Sequence, residues 1–310
     1  MGEKENKPDR FSKLLVGIDG SEISDYALNL AIHIGDAFSS QVDLIHVHSL
    51  PITAPVSTPL YDPLSAGPIL SPMPEWQIEE LRKNVAKDGA MVEQRKKLVE
   101  QSGLRCTATS IESEDVADEI IGRARDGEYG LIVMGSRGLS GLHSLILGSV
   151  SKKVAKDAKT SVLIVKNKFE GLPKILLGYD GSEESKQALY ATAELGLKFS
   201  AQVDPVGVVS ILRSSESTVM PENVSTWEKE MSDHVREAVA LLKELGITKC
   251  EGKTIDFSDA AKGIIEVASA GSYDLIAVGN RGYGRLKSFF LGSVASGVAD
   301  GAKTNVLIVR

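Results

Sequence analysis

The residues whose types and spacing could do chemistry lie in two glycine-rich runs. One reads Gly135-Ser136-Arg137-Gly138, then nine residues, then Gly148-Ser149; the other reads Gly279-Asn280-Arg281-Gly282, nine residues, then Gly292-Ser293. Glycines let a backbone approach a ligand closely. A Gly-Ser pair opening a helix exposes N–H groups that, with the helix dipole, attract an anion such as a phosphate. The Ser149 and Ser293 hydroxyls can also donate to a phosphate oxygen or approach a metal. Met once, such a run reads equally well as turn glycines and a serine N-cap. Kept twice at one spacing, each time after an apolar run, it reads as a phosphate-binding loop. Arg137 and Arg281 recur inside it, where they either neutralise phosphate charge or lie solvated on the surface. Asp19 and Asp180 each begin an Asp-Gly-Ser turn. They either satisfy local N–H groups or face the same ligand. The sequence has no G-x4-G-K-[ST] loop to place a lysine on a departing phosphate, and no G-x-S-x-G elbow. No repeated Glu or His stands where it would activate water. A site of this kind should grip a ligand and transform it slowly at most.

The elements that must position these residues are written twice. The run LLVGIDGSEISDYAL (14–28) returns as ILLGYDGSEESKQAL (175–189), and Gln41-Val42-Asp43 as Gln202-Val203-Asp204, both 161 positions on. Further along, residues 129–165 and 273–309 match at 21 of 37 positions, now 144 apart. A duplicated domain fits, over 11–168 and 172–310, with 17 residues fewer in the second copy between 49 and 106. The first copy carries there a run with seven of the chain's eleven prolines, at 51–74. It reads as a surface loop, either a tolerated insertion or a partner-docking lid.

Within the first copy, apolar runs and periodicity predict strands over 14–19, 42–48, 104–111, 131–134 and 162–165. Helices are predicted over 22–37, 76–101 and 116–125, with a short one from Ser149. Ser21 is expected to cap the first helix. Strands alternating with helices imply right-handed crossovers and a parallel, doubly wound sheet, whose ligands bind where strand order reverses. Asp19 and Gly135 both end predicted strands there.

These runs, the Asp-Gly-Ser strand end and the terminal VLIV strands resemble the universal stress proteins, in particular the branch marked by G-x2-G-x9-G-[S/T]. The resemblance covers nearly the whole chain as two tandem α/β domains. It implies a five-stranded parallel sheet in order 3-2-1-4-5 in each, helices on both faces, and ATP (or ADP or AMP), with magnesium, at the switch point. The residues holding ribose and phosphates would be Gly135, Gly138, Gly148, Ser149 and Val150, and in the second copy Gly279, Gly282, Gly292, Ser293 and Val294. Asp19 and Asp180 would face the nucleotide or its metal. The backbones of Val47 and Val208 would face the adenine edge. Pro205 in the second copy removes a strand donor there and puts its adenine contact in doubt. The resemblance implies a nucleotide-dependent stress-response regulator, with slow hydrolysis or autophosphorylation at most. The competing reading is a nucleotide-free interaction module docking a partner through 51–74.

Composition narrows the setting. At 310 residues the chain is about two domains long. Its 42% hydrophobic and 25% charged residues are those of an ordinary globular protein. The formal charge of −7 argues against a general nucleic-acid binder, and no apolar run is long enough to span a membrane. Residues 1–10 lack the apolar core of a secretion signal, and Cys106 and Cys250 sit at equivalent places in apolar stretches, so a cytoplasmic protein with buried inert thiols is expected. His46 and His48 share one strand face at a spacing two zinc ligands can use. Their counterparts are Gly207 and Val209, no cysteine or carboxylate cluster accompanies them in sequence, and a metal site is not expected. His143 and its counterpart Lys287 are further cations near the loops, His143 being a weak phosphoacceptor candidate. Finally, 161–165 and 305–309 are apolar sheet edges, expected to pair with each other in one chain or between chains of an oligomer.

Overall fold

A computed structural model describes residues 10–48, 75–138, 147–209, 221–282 and 291–310. The proline-rich run 51–74, His143 and Lys287 lie outside them. The first copy comprises β1 (Lys13–Gly17), α1 (Glu22–Phe38), β2 (Gln41–His48), α2 (Glu75–Gln101), β3 (Ala108–Glu112), α3 (Val116–Asp126), β4 (Leu131–Gly135), α4 (Ser149–Asp157) and β5 (Ser161–Val165). The second comprises β6 (Lys174–Gly178), α5 (Glu183–Phe199), β7 (Gln202–Val209), α6 (Pro221–Glu244), β8 (Lys253–Asp256), α7 (Ala260–Ala270), β9 (Leu275–Gly279), α8 (Ser293–Gly301) and β10 (Asn305–Val309). Among the described residues no helix is long and apolar enough to cross a membrane.

All ten strands form one sheet in the order β3-β2-β1-β4-β5-β10-β9-β6-β7-β8. Each half has the expected 3-2-1-4-5 order with parallel neighbours, so strand order reverses between β1 and β4 and between β6 and β9. Successive side chains on each strand point to opposite faces. Leu14, Leu131, Leu163, Leu307 and Ile175 therefore fill one core layer, and Leu15, Ile132, Ile164, Val306 and Ile276 the other. Both layers run unbroken from one copy into the other.

The two halves meet where the apolar edges were expected to pair. β5 and β10 are antiparallel, with Val162 opposite Ile308, Leu163 opposite Leu307 and Ile164 opposite Val306. Leu163 faces its own counterpart, so a pseudo-twofold axis passes between those two residues. The cations that follow the two strands exploit the same symmetry. Lys166 Nζ donates to the carbonyls of Ala299 and Ala302, both at 2.6 Å, at the end of α8. Arg310 donates to the carbonyls of Ala155 (2.5 Å) and Thr160 (3.2 Å), at and just beyond the end of α4. Each domain thus places a positive charge on the carbonyl end of the other's last helix, where the dipole is negative. Burial lowers the Lys166 pKa to about 8 and that of Arg310 to about 10.

Local chemistry follows the sequence closely. Ser21 and Ser182 cap α1 and α5 by accepting from the N–H of Ser24 and Ser185. Gly20 and Gly181 in the preceding turns have φ of +82° and +84°, a region that favours glycine. The third strand starts four residues later than its apolar run predicts. Residues 105 and 107 still accept from Val42 and Leu44, but the Thr107 N–H goes to the Asp43 side chain at 2.6 Å instead of to the ladder. Pro205 is accommodated for a related reason. Its counterpart Leu44 donates to Thr107 on the β3 side, so the donor that proline lacks concerns only the outer β7–β8 edge, and β7 remains eight residues long.

The repeated Gln-Val-Asp dictates a buried polar cluster at the amino ends of the strands. Asp43, 2% exposed, accepts from Thr107 N, Gln41 Nε2 (2.7 Å) and Tyr129 Oη (2.8 Å). Asp204 does the same with Glu251 N, Gln202 Nε2 and Tyr273 Oη. Burial and the aspartate beside it push the Tyr129 hydroxyl pKa up to about 12, and that of Tyr273 up as well. The neighbouring thiols respond alike: burial, then the aspartate charge, raise Cys106 to about 12 and Cys250 to about 11. Both are free.

Two outcomes are expected. Tyr129→Phe and Tyr273→Phe each remove a hydrogen bond to a buried carboxylate and should cost about 2 kcal/mol in denaturant unfolding, whereas Phe at the exposed Tyr190 should change nothing. Native Cys106 and Cys250 should react with a thiol reagent at pH 8 orders of magnitude more slowly than free cysteine, because the thiolate is the reactive form. The rate should climb about tenfold per pH unit toward pH 11. Fast labelling of the folded chain at pH 8 would contradict the burial argument.

Candidate functional site

At the β1–β4 reversal the strands leave a cleft of about 390 Å³ at their carboxyl ends, within the size range of small-molecule sites. Asp19, Val47, Gly135, Arg137, Gly138, Gly148, Ser149 and Val150 all line it. The first-copy residues that the resemblance implies for a nucleotide, together with Arg137, are thus brought to one place, whereas His46, His48 and Cys106 lie elsewhere. The cleft has an apolar compartment as well, built by Ile45 and Val47 of β2, Val116 and Ile120 of α3, and Met134 of β4. Those positions carry only an apolar signal in sequence, indistinguishable from core.

The glycine-rich loop is closed at its base. Ser136 N donates to Val165 O and Gly148 N to Ser136 O, both at 2.8 Å, so the ends of the nine-residue span come together. Asn280 N to Val309 O (2.9 Å) and Gly292 N to Asn280 O (2.8 Å) repeat this in the second copy. Ser151, which sequence did not single out, secures the first loop further by donating its hydroxyl to Gly135 O at 2.8 Å.

The helix that follows settles the choice between an N-cap serine and an open helix end. Gly148 and Gly292 are the N-caps of α4 and α8, with no side-chain cap hydrogen bond, and Ser149 and Ser293 are already the first helical residues. By contrast α1, α3, α5 and α7 are each capped by a Ser or Asp side chain. The first N–H groups of a helix have no intrahelical partner. At α4 no cap side chain takes them up, and they open toward the cleft.

The aspartates just beyond β1 and β6 satisfy local N–H groups, and each turns its other oxygen toward the loop. Asp19 Oδ1 accepts from Ser21 N (3.0 Å) and Ser21 Oγ (2.6 Å), which fixes the turn. Its Oδ2 turns to the loop, where a Cβ on Gly138 would stand only 2.5 Å away. Asp180 holds Ser182 N at 3.0 Å in the same way and presents Oδ2 to Gly282. Glycine at 138 and 282 is therefore what lets carboxylate and loop share one space. At 135 and 279 a side chain would instead meet Ile23 and Glu184, at the start of the helix after the first strand.

Arg137 and Arg281 are partly buried, not freely solvated. Arg137 lines the cleft, and Arg281 Nε is buried without a hydrogen-bond partner. In the second copy Val208 pairs with Ile255 as Val47 pairs with Ile111. Val208 and Val294 pack on the same core layer as Val47 and Val150. The strand register at the carboxyl end is thus the same despite Pro205.

The β2 histidines do have company. α2 carries Asp88 over β2, and His46, His48 and Asp88 form a cluster whose ligand atoms lie within 4.8 Å of one another. The 40 residues separating Asp88 from His48 hid this contact.

The universal stress protein family profile matches this chain twice, over residues 10–166 and 172–310. A universal stress protein of Mycolicibacterium smegmatis is 28% identical over 310 residues, covering 96% of each chain. Universal stress protein YxiE of Bacillus subtilis is 34% identical over 159 residues, which are 50% of this chain and 99% of YxiE. The crystal structure of a universal stress protein from Archaeoglobus fulgidus DSM 4304 has the same fold, with a TM-score of 0.66 at 19% identity over 97% of this chain and 99% of that one. Matched in both of its halves, and alike from end to end to a mycobacterial relative, the chain belongs to the universal stress protein family.

Proposed function

We propose that each domain binds an adenine nucleotide, ATP in the first instance, and that the chain works as a nucleotide-dependent regulator in the cytoplasm and not as a turnover enzyme. The observation that carries this reading is the uncapped N-terminus of α4 opening into a cleft that also has an apolar compartment. Phosphate suits the first and a base the second. Gly135, Gly138, Gly148, Ser149 and Val150 would hold ribose and phosphates, Arg137 would offset phosphate charge, and Val47 would border the base. Gly279, Gly282, Gly292, Ser293, Val294, Arg281 and Val208 are the corresponding set. The donor set fits the ligand: backbone N–H groups, a hydroxyl and a loop without side chains where the ligand must lie close. Magnesium bound with the nucleotide would supply further charge neutralisation, and Asp19 and Asp180 are the carboxylates at the loops.

Slow turnover is expected from the same lining. Among the described residues of the cleft the one carboxylate is Asp19, and its Oδ1 is already engaged by Ser21. No second base accompanies it there to activate water.

Equilibrium dialysis with millimolar ATP should load the chain, with steady-state hydrolysis below about 1 s⁻¹. Gly138→Val should remove one equivalent of nucleotide, Gly282→Val the other, each with an unchanged circular dichroism spectrum. Absence of both ATP and ADP binding, or binding indifferent to both substitutions, would overturn the reading in favour of an interaction module.

A further inference from the structure

We propose that His46, His48 and Asp88 form a zinc site in the first domain, on the sheet face opposite the nucleotide cleft. His46 is the anchor. It is 6% exposed, and its Nδ1 lies 2.8 Å from the carbonyl of Ile18. A carbonyl only accepts, so Nδ1 carries the proton and Nε2 is left with its lone pair. That Nε2 is buried and has no hydrogen-bond partner. A backbone carbonyl holding one ring nitrogen so that the other is free to ligate is the usual outer-shell arrangement of a metal-binding histidine.

The free nitrogen points at the other two groups. Asp88 Oδ2 is 3.6 Å away, on a side chain that is 31% exposed. A charge-assisted hydrogen bond would close that distance to about 2.8 Å. Ligands about 2.1 Å from a shared tetrahedral ion stand about 3.4 Å apart. The observed spacing matches joint coordination and is too long for a direct bond. His48 lies two residues along the same strand face, its ring 5.9 Å from that of His46 and tilted by 28°. Ser110 Oγ lies 3.5 Å from its Nδ1, a long contact on a partly exposed side chain, so its ring can turn. The widest separation in the cluster, at most 4.8 Å, closes by small rotations of the two partly exposed side chains.

Two imidazoles and one carboxylate are a donor set suited to zinc and unsuited to magnesium or calcium, which take oxygen ligands. Three protein ligands leave a fourth position for water. At the equivalent place in the second domain His46 and His48 are replaced by Gly207 and Val209, and Met231 of α6 fills the space above Gly207. The duplicated fold therefore contains its own control. Bound zinc would tie α2 to β2. Through the Ile18 carbonyl it would also brace the residue before Asp19. The inference is independent of nucleotide binding.

Tag-free full-length chain, stripped with a chelator, should take up one zinc per chain from a competing chelator and melt at a higher temperature with zinc present. Co²⁺ should give the visible absorption of a four-coordinate nitrogen–oxygen site. His48→Gln and Asp88→Asn alter partly exposed side chains, so the fold should survive. Each should weaken zinc binding by more than the roughly 100-fold that loss of a mere outer-shell partner can cost, and should abolish the cobalt band. Cys106→Ser and Cys250→Ser should leave both readouts as in the parent chain. No zinc uptake by the parent chain, or uptake that persists in both the His48 and Asp88 variants, would overturn the proposal and leave the three residues as a long ion pair beside a surface histidine.

Discussion

The parallel pairing of β1 with β4 is the constraint on which the rest of the molecule turns. Once those two strands are neighbours, the chain leaving β1 enters α1 on one face while the chain leaving β4 must fold over the other. No crossover then covers the gap between them. Asp19 follows β1 by two residues and Gly135 ends β4, so the carboxylate and the loop are brought face to face by the topology itself. Gly138 lacks a side chain where Asp19 Oδ2 occupies the space, and Gly148 opens α4 without a cap. Each of these costs something locally: an orphan helix end, a glycine where a larger residue would pack. Such local costs are the usual mark of a site shaped for a ligand.

The second constraint is the sheet edge. A five-stranded parallel domain of this order ends in an apolar strand with unpaired N–H and C=O groups. The duplication removes both edges at once by setting β5 against β10. Because Leu163 faces Leu307, the contact is one surface meeting its own copy, as in a twofold dimer. Lys166 and Arg310 make the same point in charge, each capping the neighbour's last helix. Burying both cations is tolerable since each meets a row of carbonyls at the negative end of a helix dipole. The two strand reversals, β1–β4 and β6–β9, are consequently related by the same axis within one continuous sheet.

What could be read from sequence was whatever is written within a few residues. The glycine spacing, the Ser21 cap, the Asp-Gly-Ser turn and the apolar strands are local, and each element they imply is present. The edge pairing was legible because two identical VLIV strands had the same unmet need. The buried Asp43–Tyr129 cluster carried a signal as well, since aspartate and tyrosine are both kept in the second copy, but aspartate is rarely buried and its partner lies 86 residues away. The late start of β3 turned on that same side chain capturing Thr107 N. Pro205 is strand-breaking in general, yet it stands where the missing donor affects only the β7–β8 edge, and β7 keeps its eight residues.

Divergence between the copies separates what the fold requires from what one domain has added. Among residues common to both halves, Asp43 and Asp204 build the sheet, Ser21 and Ser182 cap helices, and Gly138 and Gly282 shape the loop. His46 and His48 belong to none of these groups, for the second domain folds to the same order with glycine and valine in their places. A buried histidine with an unpaired nitrogen is a standing cost that glycine with Met231 packed over it avoids. The sheet does not need that histidine, so its retention in one copy calls for a compensating interaction. Asp88 at 3.6 Å is too far to supply it by direct hydrogen bonding. An ion between the two would satisfy the nitrogen, engage the carboxylate and bring His48 into the same shell.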